Sequence, residues 1–241
     1  MIDLALPGLV FNDEHHAYTV NGERMIGVTS LVRRFAPPFP AVAISNAIAK
    51  KRGDGSTGDD VRAEWAEKRD CGTAAHAYAA TWAAHTAAGG IGTAPGAGEC
   101  AEPLAGFVAG VFAFYMDLRP EPLAWERPVC WPAAGVAGTL DILCRIGGEL
   151  LLCDWKTDNE LVYTSRERML PPISHLPNRS WTEHSLQLSC YRLMISEQYG
   201  VDVDGLALIH LTNGGYALQR CVYLRSEVED ILEHYQQETP A

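Results

Sequence analysis

A chain of 241 residues, 47% hydrophobic and 20% charged, is long enough for one full α/β domain and short for two independent ones. Its formal net charge of −11 argues against a generic nucleic-acid binder, which is ordinarily basic, yet leaves room for an acid-lined metal site beside a local basic groove. No apolar run reaches the roughly 18 residues of a membrane span and the N-terminus lacks the basic flank of a leader, so a cytoplasmic protein without membrane association is expected.

In chain order, Ala17-Tyr18-Thr19-Val20, the turn Asn21-Gly22 and residues 23–28 predict a β-hairpin. Thr29 or Ser30 is placed to cap a helix from Leu31 that Pro37-Pro38 stops. Residues 41–118 are helical by composition, broken at 53–60 and by the Gly/Ala/Pro-rich stretch 89–103. Within them Thr73 is the expected N-cap of an alanine-rich helix, which puts His76 in its first turn. Alone, such a histidine is more commonly structural or solvated, and His15, His16 and His85 are read that way. Strands are expected at 124–131, 136–146 and 149–157. Glu126, at the start of the first, is a metal ligand, a support to one, or a plain strand-end acid.

Residues 162–181 lack clear periodicity and hold Arg166, Arg168, Arg179, Tyr163 and Trp181, a mixture that suits single-stranded nucleic acid or a solvated linker. A helix over 184–199 ends at Gly200, and on it Gln187 and Tyr191 share a face at i, i+4. A hairpin of 206–211 with 216–224 around Asn213-Gly214-Gly215, and a helix over 226–237, complete the elements. There are no internal repeats. Arg33, Arg34, Lys50, Lys51, Arg52, Lys68 and Arg69 are candidates for a local positive patch. Seven cysteines, at 71, 100, 130, 144, 153, 190 and 221, form no Cys-x-x-Cys pair and fit reduced, buried thiols.

The stretch from Gly138 to Thr157 carries the chemistry. Gly147-Gly148 supplies the positive φ angles of a two-residue hairpin loop, which pairs Ile146 with Glu149. Continued along the ladder, that register sets Asp141 opposite Asp154, with Cβ atoms roughly 5 Å apart. Lys156 follows two residues later on the same face. Like charges directly opposite are destabilising, so two carboxylates and a lysine inside apolar strands point to a bound cation. Carboxylate oxygens suit Mg²⁺ or Mn²⁺. The bland alternative is an edge-strand pair of Asp154 with Lys156, and a three-residue motif without this context would favour it.

Asp141, followed after a short hairpin by Asp154-Trp155-Lys156, resembles the PD-(D/E)XK nuclease superfamily. Within it the likeness is greatest to the RecB-like exonucleases, which add an upstream histidine, here Cys71-Gly72-Thr73-Ala74-Ala75-His76, and a Gln-x-x-x-Tyr helix, here Gln187-Leu188-Ser189-Cys190-Tyr191. The opening, His15-His16-Ala17-Tyr18, Asn21-Gly22 and Val28-Thr29-Ser30-Leu31, is similar to that of phage-type members. Leu140 stands where the family name has proline, and Asp154 where glutamate is common.

The resemblance implies a restriction-endonuclease-like α/β core: a central mixed sheet flanked by helices, with an N-terminal helical arch. It implies a single domain over 1–241, with the helical region 41–118 above the site and the sheet core over 124–224. Asp141, Asp154 and Lys156 are then catalytic. His76, Asp141, Asp154, the backbone carbonyl of Trp155 and Glu126 are the metal ligands. Gln187, Tyr191, Thr157, Arg166, Arg168 and Arg179 support the site or contact DNA. The expected cofactor is Mg²⁺ or Mn²⁺. An iron–sulfur cluster is not expected, because of the cysteines only Cys221 lies near the C-terminus. The implied activity is a metal-dependent DNA exonuclease of phage or bacterial recombination, replication or repair. Its partners are single-stranded or end-containing duplex DNA and a recombination or single-strand-binding protein. A structure-specific endonuclease on the same core is the alternative enzyme, against which the histidine and Gln-x-x-x-Tyr motifs speak. A non-catalytic DNA-binding protein with a degenerate core is the alternative from another class, against which intact Asp141, Asp154 and Lys156 speak.

Overall fold

The structure, a computed structural model, describes residues 1–90, 95–96, 103–157 and 165–238; Cys100, Val162 and Tyr163 lie outside them. Strands β1 (Leu9–Asn12), β2 (Ala17–Val20) and β3 (Glu23–Gly27) lead into helices α1 (Val28–Arg34), α2 (Ala41–Arg52), α3 (Gly58–Ala87) and α4 (Leu104–Leu118). Then come β4 (Glu121–Trp131), β5 (Val136–Ile146), β6 (Glu149–Lys156), α5 (Ser180–Tyr199), β7 (Gly205–Thr212), β8 (Gly215–Cys221) and α6 (Arg225–Glu238). The sheet runs β1-β2-β3-β5-β6-β7-β8, with β4 on β5. It is mixed: β3 pairs β5 and β6 pairs β7 in parallel, while the hairpins are antiparallel. The chain is therefore α/β, with helices on both faces of a mixed sheet. No helix among the described residues is long and apolar enough to cross a membrane.

The junction at β5 positions the site. One edge of β5 is occupied by β4 from Arg145 to Val136. The other edge is divided: β6 pairs with 142–146, and β3 with Val136 and Ala137 alone. Between them, residues 138–141 of β5 face an opening in the sheet. The Gly147-Gly148 hairpin has the expected register, but the ladder ends at Ile142↔Cys153, one pair short of Asp141 and Asp154. Beyond that point β6 continues along its parallel partner, with Asp154↔Leu208 and Lys156↔His210.

Two cores sandwich the sheet. Leu150, Leu152, Leu206 and Leu208 pack under α1, α5 and α6, whereas Leu151, Cys153, Trp155 and Ile209 pack under α3 and α4 with Trp82 and Phe114. Burying each such side chain is worth roughly 1.5–3 kcal/mol. Period-2 alternation assigns these faces along β6 and β7, but it slips on β5. Leu140 packs on the α5 side and Ile142 on the α3 side, although both are even-numbered. The facing strand slips at the same level: Trp125 packs on the α3 side whereas Val129, also odd-numbered, belongs to the α5-side core, and Glu126 between them has φ +41°. The pairs Trp125↔Ile142 and Arg127↔Leu140 bracket the slip, so Glu126 and Asp141 sit opposite one another within it.

Several boundaries differ from expectation. Thr73 does not cap a helix: α3 begins at Gly58, with Thr57 as N-cap in a capping box with Asp60, and His76 lies mid-helix. Gly72, just before the expected cap, is buried within α3. A Cβ there would stand 2.8 Å from the Thr157 hydroxyl, so Gly72 lets the helix approach the end of β6. Helix α1 starts at Val28 with Gly27 as N-cap, so Thr29 and Ser30 are inside it. Strand β1 was not expected; its four residues are too few for a periodic signal. The segment 165–179 is no solvated linker. Met169 and Ile173 are buried in the α5-side core, and the Leu170 N–H donates to the Phe35 carbonyl at 2.7 Å.

Candidate metal centre

Three side chains converge at the opening: His76 from α3, Glu126 from β4 and Asp141 from β5, each offering a ligand atom within 4.8 Å of the other two. The imidazole Nδ1 of His76 lies 3.3 Å from Asp141 Oδ2. The same carboxylate oxygen accepts the Trp155 N–H at 2.9 Å. Because β6 has left the β5 ladder here, that N–H bonds a side chain in place of a backbone carbonyl. A strand residue directs its N–H and C=O to the same edge, so the Trp155 carbonyl also faces this opening. One nitrogen and two carboxylates form a donor set that could hold a divalent metal ion. An ion with bonds of ~2.1 Å separates its ligands by at most about 4.2 Å, so a small closure brings all three onto one ion.

Asp154 and Lys156 reach the opening from the other face. They share the parity of Leu150 and Leu152, which places them on the α5 side. Lys156 Nζ lies 2.5 Å from Asp154 Oδ2, and Gln187 Nε2 donates to Asp154 Oδ1 at 3.1 Å. Asp154 is thus held by Lys156 and Gln187, outside the trio that converges on one point. His184, three residues before Gln187 on α5, also bears on it, acting electrostatically to lower the Asp154 carboxyl. Sequence reasoning did not single out His184; the signal was the i, i+3 spacing to Gln187.

The other expected residues divide. Tyr191 is buried with its hydroxyl over Gly138, where a Cβ would approach it to 2.5 Å, so a glycine in β5 admits the ring. Thr157 packs on α3 at Gly72. Arg166 is exposed, Arg168 donates to the His175 carbonyl at 3.0 Å, and Arg179 Nε donates to Thr182 Oγ1 at 3.3 Å. From β2, the Tyr18 hydroxyl lies 3.0 Å from Thr139 Oγ1, two residues before Asp141. Of the basic candidates, Arg52 pairs with Glu64 and Arg34 stacks over Tyr235.

The charges explain how two opposed acids coexist. Burial lowers the His76 imidazole, but the charge and hydrogen bond of Asp141 outweigh it and raise His76 to about 9. Burial raises Asp141, which the His76 charge, with Lys156 and the Trp155 N–H, overrides and holds low. Glu126 is exposed as a residue, yet the protein around its carboxyl and the Asp141 charge lift it to about 7. Burial also lifts Asp154, against the charge of Lys156. In the metal-free protein a proton on His76 carries the compensating positive charge. A raised histidine stabilises the fold below its ordinary value of 6.5, and that contribution is lost as pH rises through about 9.

Metal uptake must therefore displace protons. Calorimetric Mn²⁺ titrations in buffers of differing ionisation enthalpy are expected to show about one proton released at pH ~8, from His76, and more below pH ~7, where Glu126 also holds one. Affinity is expected to rise with pH up to about 9, as His76 gives up its proton. Uptake without proton release removes His76 from the ligand set.

Comparison of the chain with protein-family models and with curated proteins gave no match.

Proposed function

We propose that this chain is a metal-dependent nuclease that hydrolyses DNA phosphodiester bonds from ends, on a restriction-endonuclease-like core of the RecB-like exonuclease type. The observation that carries the reading is the convergence of His76, Glu126 and Asp141 beside the Asp154–Lys156 pair, at the level where the β5–β6 ladder ends. A bound divalent ion supplies a water of lowered pKa and positive charge for the leaving oxygen. His76, Glu126 and Asp141 hold that ion, with the Trp155 carbonyl facing the same space. Asp154, oriented by Gln187, keeps the Lys156 ammonium at the opening, where it neutralises charge developing on a phosphate oxygen. The resemblance of the motifs over roughly residues 70–195 supports DNA as substrate, the exonuclease mode, and a role in phage or bacterial recombination, replication or repair. We propose Mg²⁺ or Mn²⁺ as the cofactor and the cytoplasm as the location.

End-labelled linear DNA and covalently closed circles, each with Mg²⁺, Mn²⁺ or EDTA, test the reading. Linear DNA is expected to be degraded with either ion, and circles to survive. Efficient cutting of closed circles overturns the exonuclease mode and supports an endonuclease on the same core. Degradation that persists in EDTA removes the metal reading as well.

A further inference from the structure

Helix α3 packs on α2 and α4 and on strands β4 and β5. Its buried face includes Gly72, Ala75, Ala79 and Ala83. Lys68 precedes Ala75 and Ala79 by seven and eleven residues, and so lies on the same face, yet Lys68 is exposed while both alanines are buried. This stripe is buried again at Val61, in the half of α3 that packs on α2, so it opens to solvent between Val61 and Gly72. Trp65 precedes His76 by eleven residues on that stripe, about 16 Å away at 1.5 Å per residue. Its ring lies 5.9 Å from Phe39, a phenylalanine left 66% exposed. Lys68 and Arg69 flank the stripe between Trp65 and His76, both exposed, whereas Glu67 and Asp70 fall on the far side of the helix. A chain of net charge −11 therefore presents its cations, and not its acids, along the line joining an aromatic pair to the metal ligand.

We propose that Phe39, Trp65, Lys68 and Arg69 form a binding track for single-stranded nucleic acid leading to the His76 centre. The inference rests on the nuclease reading and names the strand form it acts on. Aromatic faces accept any base by stacking, and flanking cations follow the phosphates, which is how sequence-independent single-strand sites are built. A duplex keeps its bases stacked within and offers the pair nothing. The interval between Trp65 and His76 fits a few nucleotides of extended strand.

The test is fluorescence anisotropy in EDTA, so that no strand is cut. The probes are a labelled oligothymidylate of about 12 nucleotides, inside the ~4–16 nucleotide range of single-strand sites, and a labelled duplex of equal length. Trp65→Ala is expected to weaken the single strand about tenfold or more, Phe39→Ala to weaken it in the same direction, and Trp65→Phe to recover most of the affinity. Replacing Lys68 and Arg69 by alanine lowers the slope of log affinity against log salt by about 0.7 each. Val222→Ser, at an exposed valine on the β8–α6 connection, serves as the unchanged control. Single-strand affinity of Trp65→Ala within twofold of the parent overturns the track, as does an equal loss for duplex. Sedimentation showing that Trp65→Ala dissolves a dimer also overturns it, by assigning the patch to a second copy of the chain. Binding is read without metal and cleavage in the linear-versus-circular assay, so failure of the track and failure of the nuclease reading are separately visible.

Discussion

Asp141→Asn is expected to abolish cleavage while leaving the protein folded. The substitution keeps an oxygen acceptor for the Trp155 N–H, which Asp141 Oδ2 accepts at 2.9 Å, so the junction of β5 and β6 persists. It removes one of two carboxylates in the donor set and the charge that offsets burial at His76. Loss of a charged ligand to a hard cation forfeits several kcal/mol of transition-state stabilisation, on the order of 10³-fold or more in rate. Without the Asp141 charge, burial governs the imidazole and His76 titrates well below its parental value of about 9. The opposed pair Glu126 and Asp141 loses its like-charge repulsion, but the variant also forfeits the stability that the raised His76 supplies, so the metal-free melting temperature is expected to fall by several degrees at neutral pH and by less near pH 9. The measurements are linear-DNA degradation, a calorimetric Mn²⁺ titration, and an NMR titration of the histidines. Parental cleavage by Asp141→Asn sinks the metal assignment. An unfolded variant points to a structural role, and Asp141→Glu, which retains the charge, then separates the two by recovering metal affinity or failing to.

How much of this was written in the sequence follows from the range of each signal. The β5–β6 hairpin was legible because Gly147-Gly148 sets the loop locally and a period of two carries the register outward. That argument placed Asp141, Asp154 and Lys156 together. It failed one pair before the acids, because what opens the ladder is remote: β7 takes the other edge of β6, and β3 crosses from the N-terminus to take Val136 and Ala137. No local pattern announces a parallel pairing between residues 26–27 and 136–137. The paired slip at Glu126 and Asp141 was hidden for a similar reason. Glu126 adopts φ +41°, unfavourable for any residue with a Cβ, and only the surrounding sheet imposes it. Sequence reasoning therefore left Glu126 equally a strand-end acid and a ligand.

His76 shows the opposite failure, in which the residue was singled out and its setting misread. Thr73 after Gly72 looks like a helix start, since Gly is a breaker and Thr a good cap. In the fold Thr73 instead donates its hydroxyl to the Arg69 carbonyl at 3.1 Å, a bond available only inside a continuing helix. The true start is the Thr57 capping box fifteen residues earlier than Gly72, in a stretch read as loop. The unbroken helix is what carries Trp65 and His76 on one stripe, so the track was invisible from a helix begun at Thr73.

Lys156→Ala is expected to separate chemistry from metal binding. Lys156 takes no part in the donor set of His76, Glu126 and Asp141, and its positive charge opposes a cation nearby. Mn²⁺ affinity should hold or tighten, while cleavage falls by a factor on the order of 10² to 10⁴, as for loss of a positioned electrostatic or acid–base group. The variant also strands Asp154, which burial already raises and which Lys156 lowers by a contact of 2.5 Å. Breaking a buried pair at one end costs about 3–5 kcal/mol. With side-chain exposures of 16% for Lys156 and 7% for Asp154, the cost here belongs at or below the lower end of that range. Rate loss could thus reflect a damaged fold. The double variant Asp154→Asn with Lys156→Met removes that ambiguity, since it leaves no unpaired charge and keeps an oxygen acceptor for the Gln187 amide, now 3.1 Å from Asp154 Oδ1. Thermal unfolding should return toward the parent in the double variant while cleavage stays low. If stability and cleavage recover together, Lys156 matters only as the partner of Asp154, and the electrostatic role proposed for its ammonium is wrong.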